Sequence, residues 1–226
     1  RRILSHDRVP RRGNASVLPM HLGRPLPRSF YERPCLEVAP DLVGAYLVRR
    51  LADGTRLVGR LVEVEAYLGD GSDPASHSHR GKTPRNHSMF GPPGRLYAYR
   101  IYGVHVCMNL VCEPRGSGAA VLLRALEPLE GTLCMRHNRN LHPGQSDLQI
   151  ARGPGRLTQA LGLGMEFDGK SALRDAVPLH LPESREPQRR TKAIARTPRI
   201  GIQRGSELPY RFFIPDCRWV SGPRNP

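Results

Sequence analysis

The chain has 226 residues, which suits one well-packed domain and is short for two. Hydrophobic residues make up 38% of the chain, and its 23 glycines and 22 prolines predict many turns and few long helices, which argues against a helical bundle or a coiled coil. A formal net charge of +15 favours binding to polyanions, with nucleic acid as the first candidate partner and a membrane surface as the second.

The first 28 residues predict a basic, disordered arm. They hold seven arginines against one aspartate, with four prolines among them. Such an arm either adds non-specific affinity for phosphates or is an inert solvated tail, and the composition favours the tail. Ordered structure is expected from about Phe30, so that residues 29–226 form a single folded domain.

The first ordered elements predict a short helix followed by a hairpin. A helix entry is expected at 39–44, with Pro40 in its first turn. An Asp-Gly pair at 53–54 then predicts a turn between strands at 45–50 and 57–67.

A second hairpin and one more helix are predicted further along the chain. Strands at 95–102 and 104–112 meet at a tight turn, and another buried strand is expected at 119–125. A short helix is expected at 156–161, ended by Gly162. These elements predict an α+β fold with a single domain, a largely antiparallel curved sheet, flanking short helices and a protruding β-hairpin.

Membrane spans and metal sites are not predicted. The longest uncharged run around the apolar centre, from Ile101 to Cys112, is too short to span a membrane, and the Arg-rich start does not resemble a signal peptide. Five cysteines without a CxxC pair fit a reducing compartment better than a zinc site or a disulfide framework. His77 and His79 lack further residues at ligand spacing, so we expect no metal.

Two carboxylates and an aromatic residue share one face of the strand at 57–67. Alternation places Val62, Val64 and Ala66 in the core and turns Glu63, Glu65 and Tyr67 to the other side. That side is either a solvated surface whose glutamates pair with arginines or a cleft in which a glutamate acts as a general base on water. Periodicity alone does not decide between them.

Three of the seven tyrosines fall within six residues, at 97, 99 and 102. Core packing is the simpler explanation for Tyr97, because aromatic residues suit strands. Tyr102 lies at the predicted hairpin tip, where an exposed aromatic ring can enter a DNA duplex and open space for a base to leave the stack.

Eight short motifs occur along the chain, and their order is stronger evidence for a family than any single motif. They are VEAYLG (64–69), DPASH (73–77), TPRN (83–86), MF (89–90), YAY with YG (97–99, 102–103), MN (108–109), LLRALEP (122–128) and GPGRL (153–157). Together they resemble the alkyladenine (3-methyladenine) DNA glycosylase family of vertebrates and many bacteria, and not the helix-hairpin-helix type. The resemblance covers about residues 30–221, so that residues 29–226 would be a glycosylase-like catalytic domain.

The resemblance implies roles in catalysis and base binding. Glu65 matches the carboxylate that deprotonates the attacking water, and Arg124 matches a side chain that helps to orient it. Tyr67, His77 and Tyr99 match the pocket that sandwiches a flipped base. Three further matches are Asn109, which crowds the exocyclic amine of normal guanine, Tyr102, which fills the gap in the duplex, and Met89, which lies near the intercalated tip.

The activity implied by the resemblance is excision of alkylated purines, such as 3-methyladenine and with hypoxanthine as a further candidate, from double-stranded DNA. The only three lysines, at 82, 170 and 192, lie outside the Glu/Tyr group, which favours a monofunctional hydrolase without a Schiff base. We expect a monomer that needs no cofactor and works where the DNA is, in the bacterial cytoplasm or the eukaryotic nucleus. The alternatives are a non-catalytic basic DNA-binding module and, more remotely, a zinc deaminase, whose HxE and PCxxC signature is absent.

Overall fold

Two twelve-residue strands, β2 (Arg56–Tyr67) and β5 (Ala119–Glu130), run antiparallel at the centre of an eight-stranded sheet. The computed structural model describes residues 22–173, 179–180 and 194–223. The other strands are β1 (Tyr46–Arg50), β3 (Leu96–Ile101), β4 (His105–Cys112), β6 (Leu179–His180), β7 (Ala195–Thr197) and β8 (Arg211–Phe213). The strand order is β3-β4-β5-β2-β1-β6, and β8 pairs with both β2 and β7.

Both predicted hairpins are confirmed. β1 pairs with the first half of β2 across a turn in which Gly54 has a φ of 86°. β3 pairs with β4, and the two residues at their turn, Tyr102 and Gly103, have φ values of 50° and 71°. Two consecutive positive φ angles give the turn a twist that matches the twist of the flanking strands.

The helices are short: α1 (Arg28–Tyr31), α2 (Cys35–Leu42), α3 (Thr132–Asn138) and α4 (Pro154–Leu161). The predicted helix entry at Pro40 is wrong, because α2 begins at Cys35 and Pro40 lies inside it. Pro40 cannot donate the backbone hydrogen bond of its position, and the buried face of the helix, which includes Val38 and Leu42, offsets that loss. The helix predicted before Gly162 is confirmed, since Gly162 ends α4 in the left-handed conformation. The predicted α+β class with a largely antiparallel sheet is likewise confirmed.

A pair of matching bulges interrupts β2 and β5 at the same level of the sheet. The strand register shifts on both sides of Glu63, so that Val62 and Arg124 have no direct partner. Leu61 and Val64 consequently both pack into the main core, where strict alternation would place them on opposite faces. Val62 is buried as predicted, but the predicted face is wrong: it packs in a second cluster with Phe213 and not with Val64 and Ala66.

The bulges decide which residues reach the second face of the sheet. The main core on the first face contains Leu123 and Leu126, which leaves Arg124 and its neighbour Ala125 both on the second face. Bulges commonly re-aim a side chain in this way. Glu63 and Arg124 are thereby brought opposite one another.

The predicted N-terminal arm is described only at its end. Residues 1–21 lie outside the described residues, so their disorder stays a prediction. Pro25 forms a bridge with His180, and Leu26 is buried in the main core with 4% of its surface exposed. The fold thus begins to pack at least two residues before the predicted boundary at 28.

Candidate active site

Four side chains form a row across the second face of the sheet. The strand register joins Tyr97 of β3 to Asn109 of β4, Asn109 to Leu122 of β5, and Leu122 to Glu65 of β2. All four residues are buried. Four separate stretches of the chain therefore meet at one place.

Glu65 is fully buried and hydrogen-bonded at both of its carboxylate oxygens. Its Oε2 atom accepts from the Tyr67 hydroxyl at 3.0 Å and from Arg124 Nη1 at 3.1 Å. Its Oε1 atom accepts from the backbone N–H of Ile200 at 2.8 Å. The interpretation of this face as a solvated surface is wrong, because both Glu63 and Glu65 have no exposed surface.

The ring of Tyr67 is covered by a buried arginine. The Arg199 guanidinium lies 4.6 Å from the Tyr67 ring centroid and donates to both carboxylate oxygens of Asp73, at 2.6 and 2.7 Å. Burial, followed by the charge of Glu65, raises the pKa of Tyr67 well above its usual value. The phenol therefore keeps its proton and remains a hydrogen-bond donor to Glu65.

Three aromatic rings of the site, those of His77, Tyr97 and Tyr99, contact one another. The His77 ring centroid lies 4.4 Å from that of Tyr99, in an edge-to-face arrangement, and His77 Nδ1 is 2.7 Å from the Tyr97 hydroxyl. Partial burial and the charge of Arg85 lower the pKa of His77 below its usual value, which favours the neutral imidazole at pH 7. Tyr97, whose ring was predicted only to pack in the core, thus also positions His77.

Asn109 and Met89 are both buried: Asn109 makes a hydrogen bond within the row, and Met89 packs among hydrophobic residues. The Asn109 side-chain amide donates to the Tyr97 carbonyl at 3.0 Å, which fixes the side chain within the row. Met89 has only 2% of its surface exposed and packs with Val111 and Ala120. A place for Met89 near the intercalated tip stays a prediction, and in the free protein its side chain packs inside the fold.

Glu63 and Arg124 form an ion network next to Glu65. Glu63 Oε1 accepts from Arg124 Nε at 3.1 Å and from Arg211 Nε at 2.7 Å, while its Oε2 accepts from the Ser221 N–H at 2.6 Å. Burial alone would raise the pKa of Glu63, but the two arginines lower it below its usual value, so the carboxylate stays ionised. Burial alone would lower the pKa of Arg124, but the charges of Glu65 and Glu63 raise it above its usual value.

The tip of the β3–β4 hairpin is apolar and exposed. Tyr102 exposes 90% of its surface and Val104 exposes 73%, and Leu133 is the third large hydrophobic residue exposed in the described part of the chain. Sequence analysis singled out Tyr102 and missed Val104, although Val104 lies just two residues further along the same turn. Exposed apolar side chains that the described residues leave uncovered are typical of contact sites for other molecules.

The described residues hold neither a candidate metal site nor a candidate membrane span. Within them, no group of three or more His, Cys, Asp and Glu side chains is placed to hold a metal ion. No described helix has the length and hydropathy needed to cross a membrane.

Comparison with known proteins decides the family. The sequence model of a family described as methylpurine-DNA glycosylase (MPG) matches residues 29–218. This chain belongs to that family. A relative from Burkholderia lata is 47% identical over 215 residues, which cover 94% of this chain and 98% of the relative. A relative from Methanoculleus marisnigri is 48% identical over 198 residues, covering 87% of this chain and 98% of the relative. Both are named as 3-methyladenine DNA glycosylases.

Membership of the family establishes the class of activity. The protein is a DNA glycosylase of base excision repair, a monofunctional hydrolase, as the motif resemblance predicts. A non-catalytic DNA-binding module and a zinc deaminase are therefore set aside. The fold brings six of the predicted site residues together: Glu65, Tyr67, His77, Tyr99, Asn109 and Arg124. Tyr102 lies apart from them, on the hairpin tip.

Several residues of the site escaped the sequence analysis. Arg199 lies far along the chain from Glu65, and no local pattern distinguishes it from the other arginines near it in the sequence. The backbone N–H of Ile200 cannot be identified from residue types at all. Glu63 was noticed beside Glu65, but its partners Arg211 and Ser221 depend on how the C-terminal segment packs.

Proposed function

We propose that this glycosylase flips alkylated purines out of duplex DNA and hydrolyses their glycosidic bond with Glu65 as the general base. The observation that carries the proposal is the buried Glu65 carboxylate, held by three donors next to a group of aromatic rings. Fully buried acidic side chains are rare unless they are paired, and they are common at catalytic sites.

The carboxylate can bind a water molecule as well as its protein donors. An ionised carboxylate offers about four acceptor positions. Three are used at Glu65, and Oε1 takes only the Ile200 N–H. A water bound at Oε1 can give its proton to Glu65 while its oxygen attacks C1′ of the deoxyribose. The bond between C1′ and the base nitrogen breaks, its electrons leave with the base, and the DNA retains an abasic sugar.

The same carboxylate stabilises the charge that develops during the reaction. Breaking the glycosidic bond gives the sugar ring positive character, and a fixed negative charge nearby lowers the energy of that state. Tyr67 and Arg124 hold Glu65 in place through Oε2, so little reorganisation is needed as the charge forms.

The aromatic rings are suited to an electron-poor base. Alkylation at a ring nitrogen makes a purine cationic and a good leaving group, and cations are attracted to tyrosine faces by about 0.5–2 kcal/mol each. Arg199 already lies against the Tyr67 ring, so a base can use only the opposite face of that ring. His77 and Tyr99 provide the other wall of the pocket in this proposal.

The exposed hairpin tip is suited to holding the duplex open. A ring such as that of Tyr102 can occupy the space left by the flipped nucleotide, which offsets the energy lost on unstacking. Arg100 and Arg156 are exposed, and Gly155, next to Arg156, lies against His105 at the start of β4. Cations on either side of the tip can contact phosphates without regard to sequence. We propose that one copy of the chain is sufficient, since the site is built from a single chain.

Release of free base from DNA tests the proposal. Purified protein is incubated with methylated duplex, with the same duplex unmodified, and with methylated single strands, and the released bases are separated by chromatography. We expect methylpurines from the methylated duplex alone. A duplex containing hypoxanthine can be added as a separate arm. Binding to the duplex without release of base would overturn the proposed mechanism.

A further inference from the structure

One buried carboxylate next to the proposed base is not used by the mechanism. Glu63 has no exposed surface, lies two residues before Glu65 on β2, and contacts the same arginine. Taking a charge out of water is costly, and replacing buried ion pairs by apolar residues is often neutral for stability. Stability alone is therefore a weak reason for Glu63 to be there.

Arg124 contacts three different acceptors with its three guanidinium nitrogens. Nη1 donates to Glu65 at 3.1 Å, Nε donates to Glu63 at 3.1 Å, and Nη2 donates to the Ser221 hydroxyl at 3.3 Å. A guanidinium held only through Nη1 could turn about its own side-chain bonds. The contacts of Nε with Glu63 and of Nη2 with Ser221 fix the plane of the guanidinium. Of these two, only the contact with Glu63 joins opposite charges.

Glu63 is itself fixed by Arg211 and Ser221; Arg211 is the strand partner of Glu65 between β2 and β8, but its guanidinium donates to Glu63. Arg211 Nε and the Ser221 N–H donate to its two oxygens, and Arg211 Nη2 donates to the Pro223 carbonyl at 2.9 Å. None of these contacts involves the aromatic rings of the site. Glu63 is thus placed behind Arg124 and is tied to the C-terminal segment.

The charges of this group balance. Glu63 and Glu65 carry two negative charges, and Arg124 and Arg211 carry two positive charges, all nine-tenths or more buried. Without the carboxylate at 63, Arg211 would lose its anionic partner, and Arg124 would have Glu65 as its only one. The orientation of Arg124, and with it that of the Glu65 carboxylate, would then change.

We propose that Glu63 is a positioning residue, which holds the Arg124 guanidinium in the orientation that Glu65 needs for catalysis. The proposal rests on the proposed function of Glu65 as the base. Glu63 does not touch the DNA or the water and acts through Arg124. Loss of its charge should therefore slow the chemical step and leave the binding of DNA unchanged.

The test is single-turnover excision from a duplex with one methylated purine, with the dissociation constant of the same duplex measured in parallel. Glu63→Gln should lower the excision rate about 10- to 100-fold, because misplacement of a catalytic group by about 1 Å can cost up to about 100-fold. The dissociation constant should not change. Glu130→Gln is the matched control, since Glu130 pairs with Arg56 between the same two strands, outside the site. It should alter neither quantity.

A double-mutant cycle separates positioning through Arg124 from an independent structural role. In an Arg124→Gln background, Glu63→Gln should cause no further loss of rate, whereas independent effects would multiply. If Glu63→Gln does not fold, Glu63→Asp keeps the charge but withdraws it by one methylene, and it should show a smaller loss of rate with unchanged DNA binding. A wild-type rate in the folded variant, or multiplying losses in the cycle, would overturn the proposal.

The outcome is distinguishable from failure of the proposed function. If wild-type protein releases no base, or if Glu65→Gln retains full activity, the function proposed for Glu65 fails. If Glu65→Gln is inactive and Glu63→Gln is as fast as the wild type, only the role of Glu63 fails.

Discussion

The buried face of β2 and β5 and the tip of the β3–β4 hairpin depart from ordinary burial in opposite directions. The sheet face buries charges: Glu63, Glu65 and Arg124 each expose less than a tenth of their surface. The hairpin tip exposes hydrophobic side chains, with Tyr102 at 90% and Val104 at 73%. Each arrangement is unfavourable for an isolated chain in water.

The difference separates two tasks. Buried charges held by several hydrogen bonds cannot rearrange easily, which suits a catalytic group that must be in place before the substrate arrives. The side chains at the exposed apolar tip are little covered by the described part of the chain, which leaves them accessible to a partner. Changes in the first region should therefore alter stability or chemistry, and changes at the tip should alter DNA binding alone.

The largest effect on stability is expected from breaking the Asp73–Arg199 pair. Both side chains are fully buried, and Asp73→Asn leaves the Arg199 guanidinium without its charged partner. Unpairing a buried charge typically costs about 3–5 kcal/mol of unfolding free energy. Urea denaturation followed by circular dichroism measures it.

An exposed pair provides the control for this prediction. Asp41 pairs with Arg33 at 2.8 Å with 54% of the Asp41 side chain exposed, so Asp41→Asn should cost less than about 1 kcal/mol. Equal losses in the two variants would show that burial does not distinguish the two pairs.

The tip variant should produce the opposite pattern. Tyr102→Ala should weaken binding to a lesion-containing duplex about tenfold, which corresponds to about 1.4 kcal/mol, because the ring no longer fills the opened stack. Its melting temperature should equal that of the wild type, since the side chain is exposed. Fluorescence anisotropy and thermal denaturation measure the two quantities. A large drop in melting temperature would show that the tip is part of the folded core.

A smaller effect is expected from the protonation of His77. Its pKa in the folded chain lies below the ordinary value of 6.5, so the unfolded chain binds the proton more readily. The stability due to neutral His77 is therefore present above pH 6.5 and is lost as the pH falls through the lowered pKa. When the pH is lowered from 7, the melting temperature of His77→Gln should fall less than that of the wild type. Parallel pH curves would contradict this.

Deletion of residues 1–21 should have the smallest effect. Described packing begins at Leu22, which contacts the buried cluster of Tyr46, Val48 and Val58, so a chain that starts at Leu22 should fold and excise bases from short duplexes at the wild-type rate. Excision assays on matched duplexes test this. A loss of folding would show that the N-terminal arm is structural.

The sequence predicts local structure well where a turn or a helix end specifies it. The Asp53-Gly54 and Tyr102-Gly103 turns and the helix stop at Gly162 are all where the residue types place them. The start of α2 was missed, because Pro40 suggests a first turn and lies inside the helix instead. The helix propensity of single residues does not show that the packing of α2 outweighs the hydrogen bond lost at Pro40.

The site was predictable in its residue types and not in its construction. The alternating pattern places Glu63, Glu65 and Tyr67 on one face, but it does not show that this face is covered. The bulges at Val62 and Arg124 require the pairing of two strands about 60 residues apart, which a pattern of period two cannot reveal. The same limit applies to Arg199, whose role depends on where the C-terminal segment returns to the sheet.

The most direct test of the central claim is excision by Glu65→Gln under single-turnover conditions, with duplex binding measured on the same preparation. The substitution keeps the shape of the side chain and removes its ability to accept a proton from water. We expect the excision rate to fall by about a factor of 1,000, within the range that general-base catalysis contributes, while the dissociation constant for the lesion duplex stays at the wild-type value. Excision at the wild-type rate would contradict the assignment of Glu65 as the base.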